Sequence, residues 1–143
     1  MAAINPYLVF NGNCEEAFNF YKSVFGGEFP YIGRMKDAPS QEPLSESDGE
    51  KIMHVTLPIG NGYVLMGSDT SEAHGLVTFG SNFSISINAE SKEEATTLFD
   101  GLSAGGQVTM PLQDTFWGAY FGMFIDKFGI QWMVNHDTAE QAV

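Results

Sequence analysis

The sequence has few basic residues and a single cysteine, and each scarcity excludes a class of function. Six Lys and Arg stand against eighteen Asp and Glu, so the formal net charge is −12 at pH 7. A charge of this sign repels phosphate backbones and anionic lipid headgroups, which argues against nucleic acids and membrane surfaces as partners. Cys14 has no second cysteine in the chain, so an internal disulfide is excluded.

Long apolar runs are also lacking. No stretch approaches the roughly 18 consecutive apolar residues that a membrane-spanning helix requires. The first residues, Met-Ala-Ala-Ile-Asn-Pro, lack the positive start and apolar stretch of a signal peptide, so we expect a cytoplasmic protein. The 143 residues include 43% hydrophobic and 13% aromatic residues, enough for one compact domain or two small modules sharing a core.

An internal repeat organises the chain. The segment Asn13-Cys-Glu-Glu-Ala-Phe-Asn-Phe-Tyr21 corresponds position by position to Ser91-Lys-Glu-Glu-Ala-Thr-Thr-Leu-Phe99. Each opens on a residue type that caps helix N-termini, continues with two glutamates and places apolar residues at helical spacing. Each pattern ends at a glycine pair, at 26–27 and 105–106, as helix C-termini do. The repeat therefore predicts two amphipathic helices of the same design.

Each predicted helix is preceded by one candidate strand and followed by three. The candidate strands are 4–10, 28–35, 51–58 and 62–67 in the first half, and 82–88, 106–110, 119–125 and 129–135 in the second. The pattern predicts an α+β domain of two βαβββ modules, about 1–67 and 82–136, joined by a linker at 68–81. We expect curved, mostly antiparallel sheets with a helix on one face and a shared cleft on the other. A longer polar loop at 36–50 is either a lid or a plain surface loop.

Several segments make the resemblance to a known family specific. They are Asn5-Pro-Tyr-Leu-Val-Phe-Asn-Gly-Asn-Cys-Glu-Glu-Ala-Phe-Asn-Phe-Tyr21, Ile52-Met-His-Val55, Val108-Thr-Met-Pro-Leu112, Thr115-Phe-Trp-Gly118 and the stretch 121–135. Over nearly its whole length the chain resembles the PhnB-like branch of the vicinal oxygen chelate superfamily, which contains glyoxalase I, bleomycin-resistance proteins and extradiol dioxygenases. The resemblance implies the half-barrel fold of that superfamily and a homodimer. Members of the branch often carry a demethylubiquinone methyltransferase label, but the sequence has no glycine loop of the S-adenosylmethionine-binding type.

The same resemblance implies four metal ligands, one from the first and one from the last strand of each module. In this sequence those positions fall near Pro6, Met66, Ser84 and Met133. None of these side chains suits a hard divalent cation. We therefore expect no cofactor, and the alternative is a divalent metal held by atypical ligands that include His54.

Strand alternation predicts which side chains line the cleft. If Tyr7, Val9, Ile85 and Ile87 pack under the helices, the residues that face the cleft are Leu8, Phe10, Ser84, Ser86 and Asn88. If Met53, Val55 and Leu57 pack under the first helix, His54 and Thr56 face it. The predicted ligand-binding residues are His54, Thr56, Met66, Ser84, Ser86, Trp117, Phe121, Gln131 and Met133. An apolar, methionine-rich pocket of this kind is typical of a small-molecule site.

Four of the noteworthy residues have two readings each. His54 is a candidate acid or base, or a hydrogen-bonded structural histidine. Trp117 is a stacking platform for a planar ligand, or an anchor for its loop. Arg34 binds a ligand anion or pairs with one of the many acids. Cys14 lies at a helix start, where the dipole lowers a thiol pKa and the neighbouring glutamates raise it, and a structural role is favoured.

Three functions follow from these readings. The first is a protein that binds a small apolar or aromatic molecule in a metal-free cleft. The second is a lyase, isomerase or dioxygenase in which His54 acts as acid or base beside an atypically held metal. The third is an accessory protein that works through its dimer surface.

Trp132, by its alternation with its neighbours, is predicted to lie in the helix-packed core.

Overall fold

The computed structural model describes residues 2–38 and 44–138 and divides the chain into two compact units, Met1–Thr78 and Phe79–Val143. Each unit contains one four-stranded sheet with a long helix packed against it. The boundary between the units falls within the segment predicted as a linker. Residues 39–43 of the predicted loop at 36–50, on which the lid prediction depends, lie outside the described residues.

The first unit begins with strand β1 (Tyr7–Phe10) and helix α1 (Cys14–Phe25). They are followed by β2 (Tyr31–Arg34), a 3-10 turn (Met35–Asp37), the short helix α2 (Glu46–Glu50), β3 (Ile52–Gly60) and β4 (Tyr63–Asp69). The strand order is β1-β4-β3-β2, with β1 parallel to β4 and the other pairs antiparallel. Helix α2 lies inside the segment predicted to be a loop, and the side chain of Ser45 caps it by accepting from the Asp48 N–H.

The second unit repeats this order without the short helix. It contains β5 (Ile85–Asn88), α3 (Lys92–Ser103), β6 (Gln107–Asp114), β7 (Ala119–Ile125) and β8 (Gln131–Asp137), in the sheet order β5-β8-β7-β6. Again the first strand runs parallel to the last and the remaining pairs are antiparallel. The predicted α+β class and the two βαβββ modules are therefore confirmed. Among the described residues, no helix is long and apolar enough to cross a membrane.

Each core lies between the long helix and one face of its own sheet. In the first unit, Phe18 and Tyr21 of α1 are fully buried together with Phe10, and the Phe10 and Phe18 rings meet edge to face at 6.2 Å. In the second unit, Phe99 of α3 meets Phe124 at 5.1 Å in the same geometry. Trp132 is fully buried, as its alternation predicted.

A glycine in each sheet lets the helix approach closely. A Cβ at Gly67 of β4 would lie 2.6 Å from the Phe18 ring, and a Cβ at Gly122 of β7 would lie 2.6 Å from the Phe99 ring. Each sheet thus accommodates an aromatic ring from its helix directly against the backbone. Any larger residue at either position displaces that ring.

The prediction of which β1 side chains pack under the helix is wrong. Leu8 and Phe10, predicted to face the cleft, are buried under α1, whereas Tyr7 and Val9 are 46% and 37% exposed. The register explains the error. Tyr7 pairs with Met66 in the first sheet, and the residue that pairs with the corresponding Met133 in the second sheet is Ser86. The repeat alignment had placed Tyr7 over the residue before Ser86. Tyr7 lies seven residues before the start of α1, whereas Ser86 lies six residues before the start of α3, and a shift of one residue turns every side chain of a strand to the other face.

The predicted phase of β3 is right except at its start. Val55 and Leu57 are fully buried, whereas Met53, predicted to lie under the helix, is 37% exposed. The β2–β3 register slips between Gly33 and Arg34, which pair with His54 and Ile52. This bulge places two residues of β3 opposite one step of β2, so Met53 is displaced from the core.

Candidate ligand-binding faces

The side chains of most interest lie on the helix-free face of each sheet, meaning the face opposite the unit's long helix. In the first unit, one row of paired residues crosses all four strands. Tyr7 of β1 pairs with Met66 of β4, Met66 with Thr56 of β3, and Thr56 with Tyr31 of β2. Directly paired residues share a face, so these four side chains form a continuous strip. With His54 they make up what we call the tyrosine–histidine patch.

His54 is held between two tyrosines. Its Nδ1 lies 3.3 Å from the Tyr7 hydroxyl and its Nε2 lies 3.0 Å from the Thr56 hydroxyl. Its ring centroid is 5.6 Å from that of Tyr7 and 5.9 Å from that of Tyr31. Gly33 makes the second approach possible, since a Cβ there would lie 2.6 Å from the Tyr31 hydroxyl oxygen. The imidazole is therefore fixed by both ring nitrogens and flanked by two rings.

This arrangement has a definite chemical capability. A neutral imidazole donates from one nitrogen and accepts at the other, and both hydroxyls can take either role. The Tyr7, His54 and Thr56 side chains therefore form a hydrogen-bonded chain that can reverse its direction. Tyr7 and Tyr31 are 46% and 49% exposed, so each keeps an accessible ring surface for a planar molecule.

Sequence reasoning found three members of this patch and missed two. His54, Thr56 and Met66 were predicted and the structure brings them together. Tyr7 was missed because the phase of β1 was inverted. Tyr31 was missed because its contact with His54 depends on the side-chain space above Gly33, for which the sequence gives no signal.

The helix-free face of the second unit has a different composition. Ser86 pairs with Met133, which pairs with Met123, and a neighbouring row joins Asn88, Asn135 and Phe121. The structure thus places the predicted residues Ser86, Met133 and Phe121 on one face. Ser84 lies just before β5 and is half-buried, outside the paired rows. Gln131 uses its side-chain amide to donate to the Gly80 carbonyl at 2.9 Å.

Trp117 projects from the loop between β6 and β7. The loop closes through the Thr115 N–H, which donates to the Ala119 carbonyl at 2.8 Å, and turns at Gly118, whose φ is +86°. The indole of Trp117 is 56% exposed and lies 6.0 Å from the Phe121 ring. Thr115 and Gly118 thus contribute to closing the loop, and the exposed part of Trp117 lies beside Phe121.

The positions that the family resemblance assigns to metal ligands do not fit a divalent cation. Met66 and Met133 offer thioethers, Ser84 a hydroxyl and Pro6 only its carbonyl, which accepts from the Met66 N–H at 3.1 Å. Hard divalent cations prefer oxygen ligands, above all carboxylates, and borderline cations such as Zn²⁺ also take imidazole. Within 2–38 and 44–138, no three His, Cys, Asp or Glu side chains converge on one point.

Two other singled-out residues have structural partners. The Arg34 guanidinium lies 2.7 Å from the Glu15 carboxylate and donates to the Glu50 carbonyl at 2.8 Å. These acidic partners, Glu15 foremost, raise the pKa of Arg34. Cys14 is fully buried at the start of α1, and burial raises the pKa of its thiol, followed by the charges of Asp69 and Glu15.

The two remaining histidines are engaged locally. His74 Nδ1 lies 2.7 Å from the Ser71 hydroxyl in the segment between the units' sheets. His136 Nδ1 lies 2.9 Å from the Ala89 carbonyl, so it ties the end of β8 to the end of β5. Neither histidine belongs to the helix-free rows described above.

Comparison with known proteins places this fold and sequence in a defined group. A family profile described as 3-demethylubiquinone-9 3-methyltransferase matches residues 2–135. Protein PA1353 from Pseudomonas aeruginosa is 44% identical, with 96% of this chain and 98% of that chain covered and a TM-score of 0.82. The PhnB protein from Bacillus cereus is 31% identical, with coverages of 94% and 99% and a TM-score of 0.74.

More distant structures share the fold alone. A glyoxylase/bleomycin resistance protein/dioxygenase domain from Frankia is 13% identical, covers 96% of this chain and 98% of its own, and has a TM-score of 0.67. The predicted glyoxalase/bleomycin-resistance fold is therefore confirmed.

Proposed function

The chain belongs to the PhnB-like family described as 3-demethylubiquinone-9 3-methyltransferase, and from that premise we propose that it binds a small apolar or aromatic molecule without a metal. The observation that carries this proposal is the tyrosine–histidine patch. Its two tyrosine rings are half exposed, and the histidine between them is fixed by two hydroxyls. A site that combines accessible aromatic surface with few, oriented polar groups is typical of small-molecule recognition.

The chemistry of the patch favours a planar, uncharged or weakly polar ligand. Aromatic rings give most binding energy to a ring that stacks on them or meets them edge to face, about 0.5–1.5 kcal/mol per pair beyond area burial. Met66, beside Tyr7, adds a flexible apolar surface. The Tyr7–His54–Thr56 chain supplies a hydrogen bond to one polar atom of the ligand, as donor or as acceptor.

The direct test is calorimetry of the purified protein against a panel of aromatic metabolites and antibiotics. We expect at least one compound to bind, and the variant Tyr31→Ala to weaken it about tenfold, because a stacking ring is lost. Tyr63→Ala is the matched control, since Tyr63 is 61% exposed in the β3–β4 turn region and lies outside the patch. Equal losses in the two variants, or a panel with no binder, would refute the proposal.

A metal-dependent enzyme is the competing hypothesis. Metal analysis of protein purified without chelators separates the two. Stoichiometric metal that is lost in His54→Ala would replace the binding proposal with the enzyme hypothesis. A methyltransferase reaction predicts in addition that S-adenosylmethionine binds, which the same calorimeter measures.

A further inference from the structure

The helix-free face of the second unit carries a pair of asparagines whose hydrogen bonding is incomplete. Asn135 Nδ2 donates to Asn88 Oδ1 at 3.1 Å and to Asp137 Oδ1 at 3.2 Å. Asn135 Nδ2 is thus the donor in both bonds, and Asn88 takes part as acceptor. In the part of the chain that the structure describes, Asn135 Oδ1 and Asn88 Nδ2 have no hydrogen-bond partner.

An aromatic surface lies directly beside this pair. Phe121 is the strand partner of Asn135, and directly paired residues have Cβ atoms about 5 Å apart on the same face. Trp117 lies against Phe121, with ring centroids 6.0 Å apart, and more than half of its surface is exposed. One free acceptor, one free donor and two aromatic rings therefore share a single surface, which we call the asparagine–tryptophan patch (Asn88, Asn135, Phe121 and Trp117).

We propose that the asparagine–tryptophan patch binds a planar heterocycle that presents a hydrogen-bond donor and acceptor side by side, as a lactam does. The ligand N–H donates to Asn135 Oδ1, and the ligand carbonyl accepts from Asn88 Nδ2. The ring plane packs on Trp117 and Phe121. This inference goes beyond the proposed binding function, because it concerns a second surface, on the second unit.

The charge at the patch selects among such heterocycles. The side chain of Asp137 accepts from Asn135 and so places an acidic residue at the patch. An anionic ligand there meets a like charge and adds to the repulsion from a chain of net charge −12. The ligand is therefore neutral or cationic.

The test uses two probes that differ in one hydrogen-bonding group, 2-quinolone and N-methyl-2-quinolone. The wild-type chain should bind 2-quinolone about tenfold more tightly, because methylation removes the donor that faces Asn135. Asn88→Asp should weaken 2-quinolone about tenfold, since the substitution keeps an oxygen to accept from Asn135 but puts a charged acceptor, which repels the ligand carbonyl, where the free donor stood. Trp117→Ala, a change in an exposed loop, should weaken both probes.

The control is Asn82→Asp, which makes the same change at an exposed residue before the start of β5. It should leave the affinity for 2-quinolone within twofold of wild type. Equal affinity for the two probes, or an unaltered affinity in Asn88→Asp, overturns this inference and leaves the binding function intact. Absence of binding by either probe overturns the inference, and the proposed function fails with it only when the whole aromatic panel is also inert.

Discussion

The two long helices begin in different ways although their sequences align residue by residue. Helix α3 begins with the exposed Lys92, and the side chain of Ser91 accepts from the Glu94 N–H. Helix α1 begins with the fully buried Cys14, and Asn13 makes no side-chain cap. Its cap comes from Asp69 at the end of β4, whose Oδ1 accepts from the N–H groups of Gly12 and Cys14 at 2.9 Å. The second helix is capped locally and the first by the tertiary structure.

In each unit a buried aspartate accepts three hydrogen bonds, but Asp69 and Asp126 connect different kinds of segment. Asp69 is 5% exposed and also accepts from the Ile52 N–H, so it joins the start of α1 to the start of β3. Asp126 is 3% exposed and accepts from Phe128, Ile130 and the Trp132 indole, all within the β7–β8 turn and the following strand. Asp69 thus connects segments distant in sequence, whereas Asp126 connects neighbouring ones.

Removing these carboxylates should produce the largest effects. We expect Asp69→Ala to lower the free energy of unfolding by about 3–5 kcal/mol, because three backbone donors lose a charged acceptor in a buried setting. Asp126→Ala should cost somewhat less, since two of its partners belong to a turn that can rearrange to reach water. Urea denaturation measures both, with the exposed Asp100→Ala as control. A larger loss in Asp126→Ala would reverse the comparison.

The glycines under the helices should respond alike in both units. We expect Gly67→Ala and Gly122→Ala each to destabilise by about 2 kcal/mol, because the added methyl group meets an aromatic ring and backbone atoms within 3 Å. Gly80→Ala is the control, since its added Cβ has no neighbour closer than 3.4 Å. Thermal unfolding that shows a loss in one unit only would contradict the equivalence of the two helix–sheet contacts.

The buried thiol gives the first unit a pH dependence that the second lacks. Burial raises the pKa of Cys14, so above about pH 8.5 the unfolded chain releases this proton and the folded chain retains it. Stability is therefore lost as pH rises, by about 1.4 kcal/mol per pH unit. The difference in unfolding free energy between wild type and Cys14→Ala should shrink between pH 8.5 and pH 10. A constant difference would mean that the thiol ionises equally in both states.

The smallest effect should come from the surface ion pairs of the first unit. Arg34, Glu15, Glu50 and Lys36 form a partly exposed network. We expect Arg34→Met to destabilise by less than about 1 kcal/mol, and the loss to diminish in 1 M salt, because exposed pairs are screened. A loss that is independent of salt would point instead to the Arg34 hydrogen bond to the Glu50 carbonyl.

Much of the fold could be predicted from the sequence because its signals are local. The apolar spacing of the helices, the glycines that end them and the alternation of the strands are patterns among neighbouring residues. The observed helices and strands therefore lie within a few residues of the predicted ones. The exceptions are instructive. Helix α2 is one short turn with a serine cap inside a polar segment, and β6 continues to Asp114, past the predicted end at 110. The homodimer and the shared cleft stay predictions.

The candidate sites were predictable only in part. Alternation located His54, Thr56, Met66, Ser86, Phe121 and Met133 on helix-free faces. It failed at β1, whose register against β4 is shifted by one residue relative to the repeat alignment, so that Tyr7 faces outward. It also gave no warning that Tyr31 reaches across Gly33 to His54, because that contact depends on the space between two strands.

By itself the sequence determined two βαβββ units and their helices, because composition and periodicity act over a few residues. The tertiary structure alone decided which face each side chain of β1 presents and that Asp69 caps α1. It also decided that two tyrosines enclose His54 and that two asparagines leave a donor and an acceptor beside Trp117. The physical reason is that these features depend on segments that are distant in the sequence. Pairing across the sheet sets the register of β1, and a shift of one residue turns each of its side chains to the other face.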